Sequence, residues 1–375
     1  MSKRIIISSF AVLALLSSCS NDEVEMGAPE ITLGNSEVEI QLSTGGYSSR
    51  SSIESNPAGL FETDNLGIFC LAKENLGINI HELPIDWFTL GDEETYSVWM
   101  NNVESVARIN SSSTATNILW ADGMQRWYPT GNWHRYSFYG YYPRQSSVVS
   151  TFTTKIVNIP LDGTQDVIYG KTNNESDELA YCAKYFRNAQ FQNVTPSLSF
   201  EHKLMRLTFS FVAGEDANGS IEPALLMGIV SLKIKDMPSV ASLVIADRDN
   251  PENDGKIVYD WENNLTDFVL CDDNDEPLSE NYWVGEESQN IGEGILVPVS
   301  DNPEKRYYIE VVLKDKTGNI FYPEHPMELL NVAGGFHAGN SYHVNMTIHG
   351  TQGIELQGTL TPWVNVDNAI NDVTY

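Results

Sequence analysis

The sequence of 375 residues predicts an all-β protein. Short runs of apolar, β-branched and aromatic residues recur along it, each bounded by Gly, Asn, Asp or Pro, and this spacing is typical of short strands joined by turns. Several segments alternate strictly between apolar and polar residues, as half-buried strands do. Windows with helical periodicity are scarce, and the short stretch from Glu222 to Gly228 is the best helical candidate. An α/β fold is therefore not expected.

The first 18 residues have the features of a secretory signal peptide. Lys3 and Arg4 precede an apolar stretch from Ile5 to Leu16, which is shorter than the roughly 20 residues that a membrane helix needs. Cys19 ends this stretch in a pattern that resembles the lipobox of bacterial lipoproteins, where the thiol is lipidated and becomes the first mature residue. The alternative is an ordinary signal peptide with a chance cysteine. We expect an outer-membrane lipoprotein precursor, anchored through lipid on Cys19, at the cell surface.

Residues 19–36 are polar and acidic and predict a flexible lipidated tether. Strict alternation begins at Glu37 and places Val38, Ile40 and Leu42 on one face, which predicts a half-buried first strand. The body of the protein is therefore expected to begin at residue 37.

A loop rich in Gly and Ser follows the first strand. It contains Arg50, the only basic residue between Arg4 and Lys73, followed by Ser51. Exposed loops of small and polar residues are preferred sites of proteolysis. Arg50 is therefore a candidate cleavage site, and the alternative is an arginine in a solvated tether.

Further strands are predicted along the rest of the chain. Five apolar runs read as strands: Leu66 to Leu71, Tyr136 to Tyr142, Lys155 to Ile159, Ile229 to Ile234 and Ile295 to Val299. Two later segments, Arg306 to Lys314 and Ser341 to His349, alternate as sandwich strands with one wet face.

The segment from Leu198 to Val212 changes register. Its apolar residues are even-numbered up to Leu204 and odd-numbered from Met205, so a bulge or break is expected near Lys203. We place a domain boundary just before this segment, which gives an N-terminal domain at 37–195 and a C-terminal domain at 196–375. The length suits two domains of ordinary size.

Charge and cysteine content limit the choice of partners. The formal net charge is −29, and losing Lys3 and Arg4 with the leader would take it to −31. Nucleic acid is not an expected partner, because phosphate binding needs a clustered basic surface. With Cys19 lipidated, Cys70, Cys182 and Cys271 remain, and they read as small core residues, with one disulfide as the alternative.

Several segments, taken in order, resemble the fimbrillin-like family, the lipoprotein-derived subunits of type V surface pili. The resemblance covers most of the chain. After the lipobox and the loop with Arg50 come the following matching segments: Phe61 with Asp64 to Phe69, where Thr63 replaces a family glycine; Trp120 to Gly123 with Trp127; Phe138 to Pro143; Phe200, His202, Leu204 and Arg206; and Gly339, Tyr342, Val344, Ile354 and Thr361 to Trp363.

The resemblance implies two transthyretin-like β-sandwich domains in tandem and assembly by strand exchange. In the family, a trypsin-like protease cuts after an arginine and removes the first strand. Here that implies a cut between Arg50 and Ser51 and removal of Val38, Ile40 and Leu42. The partners implied are other pilin subunits, in a homo- or hetero-polymer, and the maturation protease.

The donor strand for such an exchange should be terminal, extended and alternating. The segment from Gly353 to Leu360 qualifies, with Ile354, Leu356 and Leu360 on one face, and it lies within the candidate region Thr351 to Tyr375. The alternative is that these residues form an ordinary last strand of the C-terminal domain. A stalk subunit and a tip or anchor subunit differ at this point.

Catalytic and cofactor motifs are absent from the sequence. There is no GxSxG, HExxH, P-loop or GxGxxG pattern. His343 and His349 share the polar face of one strand, and His202 reads as a core-edge histidine bonded to backbone. The acidic loops at 247–254 and 272–276 do not match an EF-hand, so solvated loops are expected, with adventitious calcium as the alternative. We expect no enzyme activity, no catalytic residues, no cofactor and no metal.

A different class of function, a non-polymerising surface lipoprotein that binds glycans, remains open. Exposed tryptophans can stack on sugar rings. The N-terminal half is rich in them: Trp87, Trp99, Trp120, Trp127 and Trp133. Large aromatic residues also fill sandwich cores.

Overall fold

The computed structural model shows a protein built almost entirely of β-strands. It describes residues 39–44, 61–75, 85–88, 96–112, 115–129, 134–172, 195–271, 278, 282–322, 326–329, 335–351 and 353–361. Among these residues no helix has the length and apolarity that a membrane crossing requires. The all-β prediction is confirmed.

The described strands number 21 and follow one another closely along the chain. In order they are β1 Leu42–Thr44, β2 Thr63–Asn75, β3 Val98–Ile109, β4 Thr116–Trp120, β5 His134–Tyr142, β6 Val149–Ser150, β7 Thr154–Pro160, β8 Ile168–Thr172, β9 Ser197–His202, β10 Leu204–Ala213, β11 Met227–Pro238, β12 Val240–Asp247, β13 Ile257–Tyr259, β14 Leu265–Val269, β15 Tyr282–Trp283, β16 Gln289–Pro298, β17 Tyr307–Asp315, β18 Ile320–Phe321, β19 Met327–Leu329, β20 Ser341–Ile348 and β21 Ile354–Thr361. A short helix α1, Glu222–Leu225, forms within the predicted helical stretch, and a 3-10 turn spans Pro251–Asn253.

Seven strands form a sheet that closes on itself in the order β1-β4-β3-β2-β5-β8-β9. The closure is made by β1, which pairs antiparallel with β4 and parallel with β9. Buried apolar side chains such as Ile40, Leu42, Ile68 and Phe200 form one core of this sheet. Gly140 is required here, because a Cβ would lie 2.8 Å from the Phe200 ring. The closed sheet differs from the two facing sheets of the expected sandwich.

The C-terminal strands form two sheets that share a second core. One sheet has the order β16-β10-β20-β21, and the other has β14-β11-β17-β18, with β15 paired to β11 and β19 paired to β17. The faces predicted for β17 and β20 are confirmed, because the following side chains are all buried in the shared core: Tyr307, Ile309, Val311, Leu313, Tyr342, Val344, Met346 and Ile348.

A further sheet combines strands from both halves of the sequence, in the order β13-β12-β7-β6. In it Val157 of β7 pairs with Leu243 of β12. These strands join the same core as Phe69 of β2 and Tyr141 of β5. Residues Asn35–Tyr375 accordingly form one compact unit.

The chain changes sheet at Lys203. β9 ends at His202 within the closed sheet, and β10 begins at Leu204 within the C-terminal sheets. The break predicted near this residue is confirmed. Because β9 pairs with β8 and β1, the change of sheet comes later than the expected boundary at 195 and 196. A division into two domains stays a prediction. Its boundary would have to follow β9, because β9 belongs to the same sheet as the strands before it.

Lys155 of β7 is a buried cation in the sheet that joins the two halves. Its side chain is fully buried, and Nζ donates a hydrogen bond to Ser150 Oγ at 2.9 Å. Burial lowers the pKa of Lys155 to about 8, against a smaller opposing effect of Asp86. The folded state therefore disfavours the charged form of this side chain.

Replacing Lys155 with Met is expected to raise the free energy of unfolding at pH 7 by about 1–3 kcal/mol, because no buried charge remains. The unchanged protein should gain stability between pH 8 and 10.5, where the folded state has lost the proton and the unfolded chain still holds it. The variant should lack that gain. Urea unfolding at pH 7 and at pH 10 measures both effects.

The matched control is Lys235→Met. A hydrogen bond with Asp267 raises the pKa of Lys235, so this replacement should not stabilise the protein. A Lys155→Met variant less stable than the unchanged protein at pH 7 would show that the bond to Ser150 outweighs the cost of burial.

Candidate functional site

The candidate site is the slot that β1 occupies in the closed sheet. The three residues of β1 pair antiparallel with residues 116–118 of β4, and two of them pair parallel with residues 197–198 of β9. The backbone N–H of Ser43 also donates to the carbonyl oxygen of Pro196 at 3.0 Å. Within the described part of the chain, the three residues of β1 therefore complete a sheet of seven strands.

Two apolar side chains of residues 39–44 are buried in the core of the closed sheet. Ile40 and Leu42 are 1% and 3% exposed, and they belong to the same core as Ile118 and Phe200. Burying an aliphatic side chain of this size is worth about 1.5–3 kcal/mol. The inward face predicted from the alternation is confirmed at both positions, and Val38 lies outside the described residues.

Loss of β1 would open the closed sheet along two edges. Among the described strands, β1 alone lies between β4 and β9. Its departure would leave backbone N–H and C=O groups of both neighbours unpaired, beside an apolar slot. An extended segment from another chain can satisfy such edges by adding as a strand.

A cavity of about 640 Å³ lies beside β1. Its walls are residues 39–43 in and before β1, Asn117 to Trp120 of β4, the turn residues Gly123 to Gln125, and Thr195. Leu119 and Met124 on these walls are 49% and 62% exposed. The slot therefore continues into an apolar surface that an incoming strand could also cover.

An ion pair fixes the turn at the edge of this cavity. Both guanidinium nitrogens of Arg126 bind the Asp122 carboxylate, at 3.0 and 2.8 Å, and the guanidinium carbon lies 4.9 Å from the centroid of the Trp120 ring. The hydrogen bond from Arg126 lowers the pKa of Asp122 to about 2. The carbonyl oxygen of Arg126 in turn accepts the N–H of Ile40 at 2.8 Å. The same turn thus lines the cavity and holds the N-terminal segment.

The residues predicted for processing lie outside the described residues. These are the signal peptide 1–18, the tether 19–36, Cys19, Arg50 and Ser51. β1 ends at Thr44, and the next described residue is Phe61, which is buried in the core of the closed sheet. A cut after Arg50 would therefore separate β1 from the remaining strands without breaking any described strand.

The candidate donor segment forms β21, which lies at an edge of a C-terminal sheet. It pairs antiparallel with β20, from Ile348 with Ile354 to Ser341 with Thr361. Leu356 is buried in the larger core and Ile354 packs against that core, whereas the side chain of Leu360 is outside the described residues. Among the described residues this segment is thus the last strand of its own sheet, and residues 362–375 of the candidate region lie outside them. The donor role stays a prediction.

The tryptophans of the N-terminal half are engaged in packing where they are described. Trp87 is 1% exposed, and its Nε1 donates to the carbonyl oxygen of Ala72 at 3.0 Å. Trp99 Nε1 donates to the carbonyl oxygen of Trp127 at 2.7 Å, and Trp120 lies under Arg126. Trp133 is outside the described residues. Of the described rings Trp87 is thus sealed in the core, whereas Trp99, Trp120 and Trp127 are half-buried, and a sugar-binding role for them stays a prediction.

His202 has a partner that the sequence did not indicate. Its Nδ1 lies 2.5 Å from Asp166 Oδ2, and both side chains are 1% exposed. The expectation of a backbone partner stays a prediction, and the buried Asp166 carboxylate is a partner beyond it. Asp166 comes 36 residues earlier in the chain, and no local motif links the two positions.

His343 lies in a polar cluster on the face of β20 away from the core. Its Nδ1 is 2.9 Å from Thr208 Oγ1, and its Nε2 is 2.9 Å from Ser210 Oγ. Burial lowers the pKa of His343. Hydroxyl groups on the neighbouring strand, rather than bulk water alone, surround this histidine.

Other reactive groups of the described residues serve the fold. Cys70 is buried, and burial raises the pKa of its thiol well above the usual value. Asp247 accepts hydrogen bonds from the backbone N–H of Asn250 and the side-chain amide of Asn253, within its own loop. Within the described ranges no group of three or more His, Cys, Asp or Glu side chains is arranged to hold a metal ion.

Comparison with known proteins gives a match to one family and to several solved structures. The model of the fimbrillin-like family matches residues 61–363. No curated protein matches the chain. A proposed cell adhesion protein from Bacteroides uniformis has 14% identity and a TM-score of 0.48, with 88% of this chain and 98% of that chain covered.

Two further solved structures carry fimbrial names. The fimbrial anchor protein Mfa2 from Porphyromonas gingivalis has 10% identity and a TM-score of 0.36, with 86% of this chain and 99% of that chain covered. A fimbrial assembly protein from Parabacteroides distasonis has 12% identity and a TM-score of 0.36, with 87% of this chain and 99% of that chain covered.

Proposed function

Because this chain belongs to the fimbrillin-like family, we propose that it is a structural or adhesive subunit of a cell-surface fimbria. It is exported as a lipoprotein, matured by proteolysis after Arg50 and assembled by exchange of β-strands. Its partners are other pilin subunits, of the same or of different sequence, and a trypsin-like maturation protease. It has no catalytic role and no nucleic-acid partner.

The observation that carries this proposal is the position of β1. Three described residues of β1 close the sheet, and Ile40 and Leu42 fill a core that the other six strands build. A segment with so few backbone pairs can leave without unravelling its neighbours, and the space that it leaves has the shape of a strand. This slot is the proposed binding site for the donor strand of the next subunit.

Lipidation gives the precursor a temporary anchor. Lipid on Cys19 holds the chain at the outer membrane while β1 fills the slot. Cleavage between Arg50 and Ser51 then separates the lipid and β1 from the body, so that the slot opens only in a subunit that has left its anchor. A chain that is never cut would stay on its lipid as an anchor or accessory subunit.

The proposed donor is the C-terminal region from Thr351 to Tyr375. β21 is an edge strand, and in the structure its one strand partner among the described residues is β20. An edge strand with one neighbour can be released at a lower cost than a central strand, because fewer backbone hydrogen bonds are lost. Ile354, Leu356 and Leu360 would then face the slot of another subunit.

The experiment that tests the proposal is the replacement of Arg50 by Ala in the native cell. The variant should remain a lipidated monomer that starts at Cys19, whereas the unchanged protein should start at Ser51 and run as a ladder in unboiled samples. Arg50→Lys is the matched control, because a trypsin-like protease also accepts lysine, and it should restore both the new N-terminus and the ladder.

Ladders of the same length from the Arg50→Ala variant would contradict cleavage at this site. An unchanged protein that starts at Cys19 and stays monomeric would contradict the polymer itself.

A further inference from the structure

A second cavity, here called the junction pocket, lies where the closed sheet meets the C-terminal sheets. It has a volume of about 410 Å³ and is lined by Lys203 at the bend between β9 and β10, Ile257 of β13, residues 299–303 and Lys305 between β16 and β17, Tyr307 of β17, and residues 335–338 before β20. Volumes of about 300–1,000 Å³ are usual for small-molecule sites, which often lie where structural units meet. The pocket has no residue in common with the walls of the β1 slot.

Three tyrosine hydroxyls hold the walls of the junction pocket in place. Tyr307 donates to the carbonyl oxygen of Pro298 and accepts the N–H of Ser300, at 3.0 and 3.2 Å. In the same way Tyr342 donates to the carbonyl oxygen of Gly335 and accepts the N–H of His337, at 3.2 and 2.8 Å. Tyr259 donates to the carbonyl oxygen of Lys203 at 2.9 Å. Burial raises the pKa of Tyr307 to about 12 and also raises that of Tyr259, so both hydroxyls keep their protons.

The same aromatic rings form a continuous chain of edge-to-face contacts beneath the pocket. Ring centroids are 6.0 Å apart for Tyr259 and Trp261, 6.3 Å for Trp261 and Tyr307, 5.4 Å for Tyr307 and Phe336, and 4.9 Å for Phe336 and Tyr342. Phe336 is the half-buried member that lines the pocket. Its ring is fixed on two sides and can offer a rigid apolar surface to a ligand.

The rim offers hydrogen-bond donors and acceptors close to this apolar surface. Ser300 Oγ accepts the N–H of Asn302, and Asn302 Oδ1 accepts the N–H of Glu304. In both bonds the side chain is the acceptor, so the hydroxyl hydrogen of Ser300 and the amide hydrogens of Asn302 can donate to a ligand. The carboxylate of Asp301 can accept, and Lys305 is held with Nζ 4.4 Å from the Trp261 ring centroid.

The balance of charge and apolar surface indicates the class of ligand. A simple anion would need a surplus of positive charge, but Lys203 is paired with Glu201 at 3.3 Å, and the lining includes the carboxylate of Asp301 as well as Lys305. A purely apolar ligand would leave the polar rim unsatisfied. A sugar ring has both a C–H face for an aromatic ring and hydroxyls that donate and accept.

We propose that the junction pocket binds a sugar ring of a surface glycan, with Phe336 under one face of the ring and Ser300, Asp301, Asn302 and Lys305 around its hydroxyls. This site uses other aromatic residues than the tryptophans that the sequence suggested. It is also independent of strand exchange, since the β1 slot and the pocket are separate.

The test is saturation-transfer NMR on the full chain with five probes. These are the methyl glycosides of glucose, galactose, mannose, N-acetylglucosamine and glucuronic acid. We expect at least one of these glycosides to bind. Phe336→Ala should weaken the binding of that glycoside by about tenfold or more, because it removes one stacking contact. Asn302→Ala removes an exposed rim side chain and should weaken binding several-fold even if Phe336→Ala reduces folding.

The matched control is Lys316→Met, because Lys316 also lies over a tryptophan, with Nζ 5.9 Å from the Trp283 ring centroid, but outside this pocket. Glycoside binding by the Lys316→Met variant should be unchanged. Glycoside binding by the Arg50→Ala variant should also be unchanged, because that replacement is expected to block only assembly. The proposal is overturned if none of the five glycosides binds, or if binding is the same in the Phe336→Ala and Asn302→Ala variants as in the unchanged protein.

Discussion

Replacing Leu42 with Ala is expected to lower the free energy of unfolding of the uncut chain by about 3 kcal/mol, as for other large-to-small changes at buried positions. Leu42 is 3% exposed and lies in the core of the closed sheet. If β1 is removed during maturation, the same change should leave the stability of subunits inside the fimbria unaltered. A loss of stability in the uncut chain but not in the fimbria would show that β1 is removed during maturation. A loss in both would show that β1 stays in the subunit.

The matched control is Ile118→Ala on β4, because Ile118 pairs directly with Leu42 and is similarly buried, at 4% exposed. β4 remains in the mature subunit, so this change should weaken both the uncut chain and the polymer. Urea unfolding of the purified monomer and heat dissociation of the polymer give the two values. If Leu42→Ala weakens the polymer as much as Ile118→Ala does, β1 stays in place during assembly.

Local patterns predicted about half of the described strands, and they missed long ones such as β3 and β12. In β17 and β20 the alternation predicted one fully buried face correctly, because that face packs on the core. The opposite face is less exposed than expected, since Val312 of β17 and Ser341 of β20 are also buried. The change of parity around Lys203 predicted the break between β9 and β10, since a shift of one residue reverses the two faces of a strand. Ile40 and Leu42 were assigned to the core for the same reason.

Long-range pairing could not be predicted from these patterns. The alternation of β7 does not reveal that its partner is β12, almost ninety residues later, nor that β9 shares a sheet with β1. Such pairings depend on which apolar faces meet, and a single sequence does not state this. The His202–Asp166 pair and the junction pocket arise from the same kind of contact.

Aromatic residues show the same limit at the level of single side chains. Trp87 and Phe336 are both large rings whose surroundings the sequence pattern does not reveal. The first is sealed in the core with its Nε1 bonded to Ala72, and the second is half-buried at a cavity. Composition alone favoured the tryptophans as candidate sugar platforms. Tertiary packing decides which ring can meet a ligand.

Locking β1 into the closed sheet should stop assembly after cleavage has taken place. Ser43 and Asn117 are directly paired on β1 and β4, and Cα atoms of such antiparallel partners lie about 4.5–5.5 Å apart, within the range of a disulfide. In the double variant Ser43→Cys/Asn117→Cys, an oxidised bond would hold β1 in its slot even when the chain has been cut after Arg50. The two single variants are the controls for the natural cysteines, and both should assemble normally.

The most direct test of strand exchange at this slot is therefore the polymer formed by the cut double variant, measured in unboiled samples before and after reduction. The proposal predicts monomers while the disulfide is intact, with the N-terminal fragment still attached, and a ladder once dithiothreitol releases that fragment. A ladder of equal length in the oxidised and the reduced samples would contradict it, because subunits would then assemble with the slot still filled by β1.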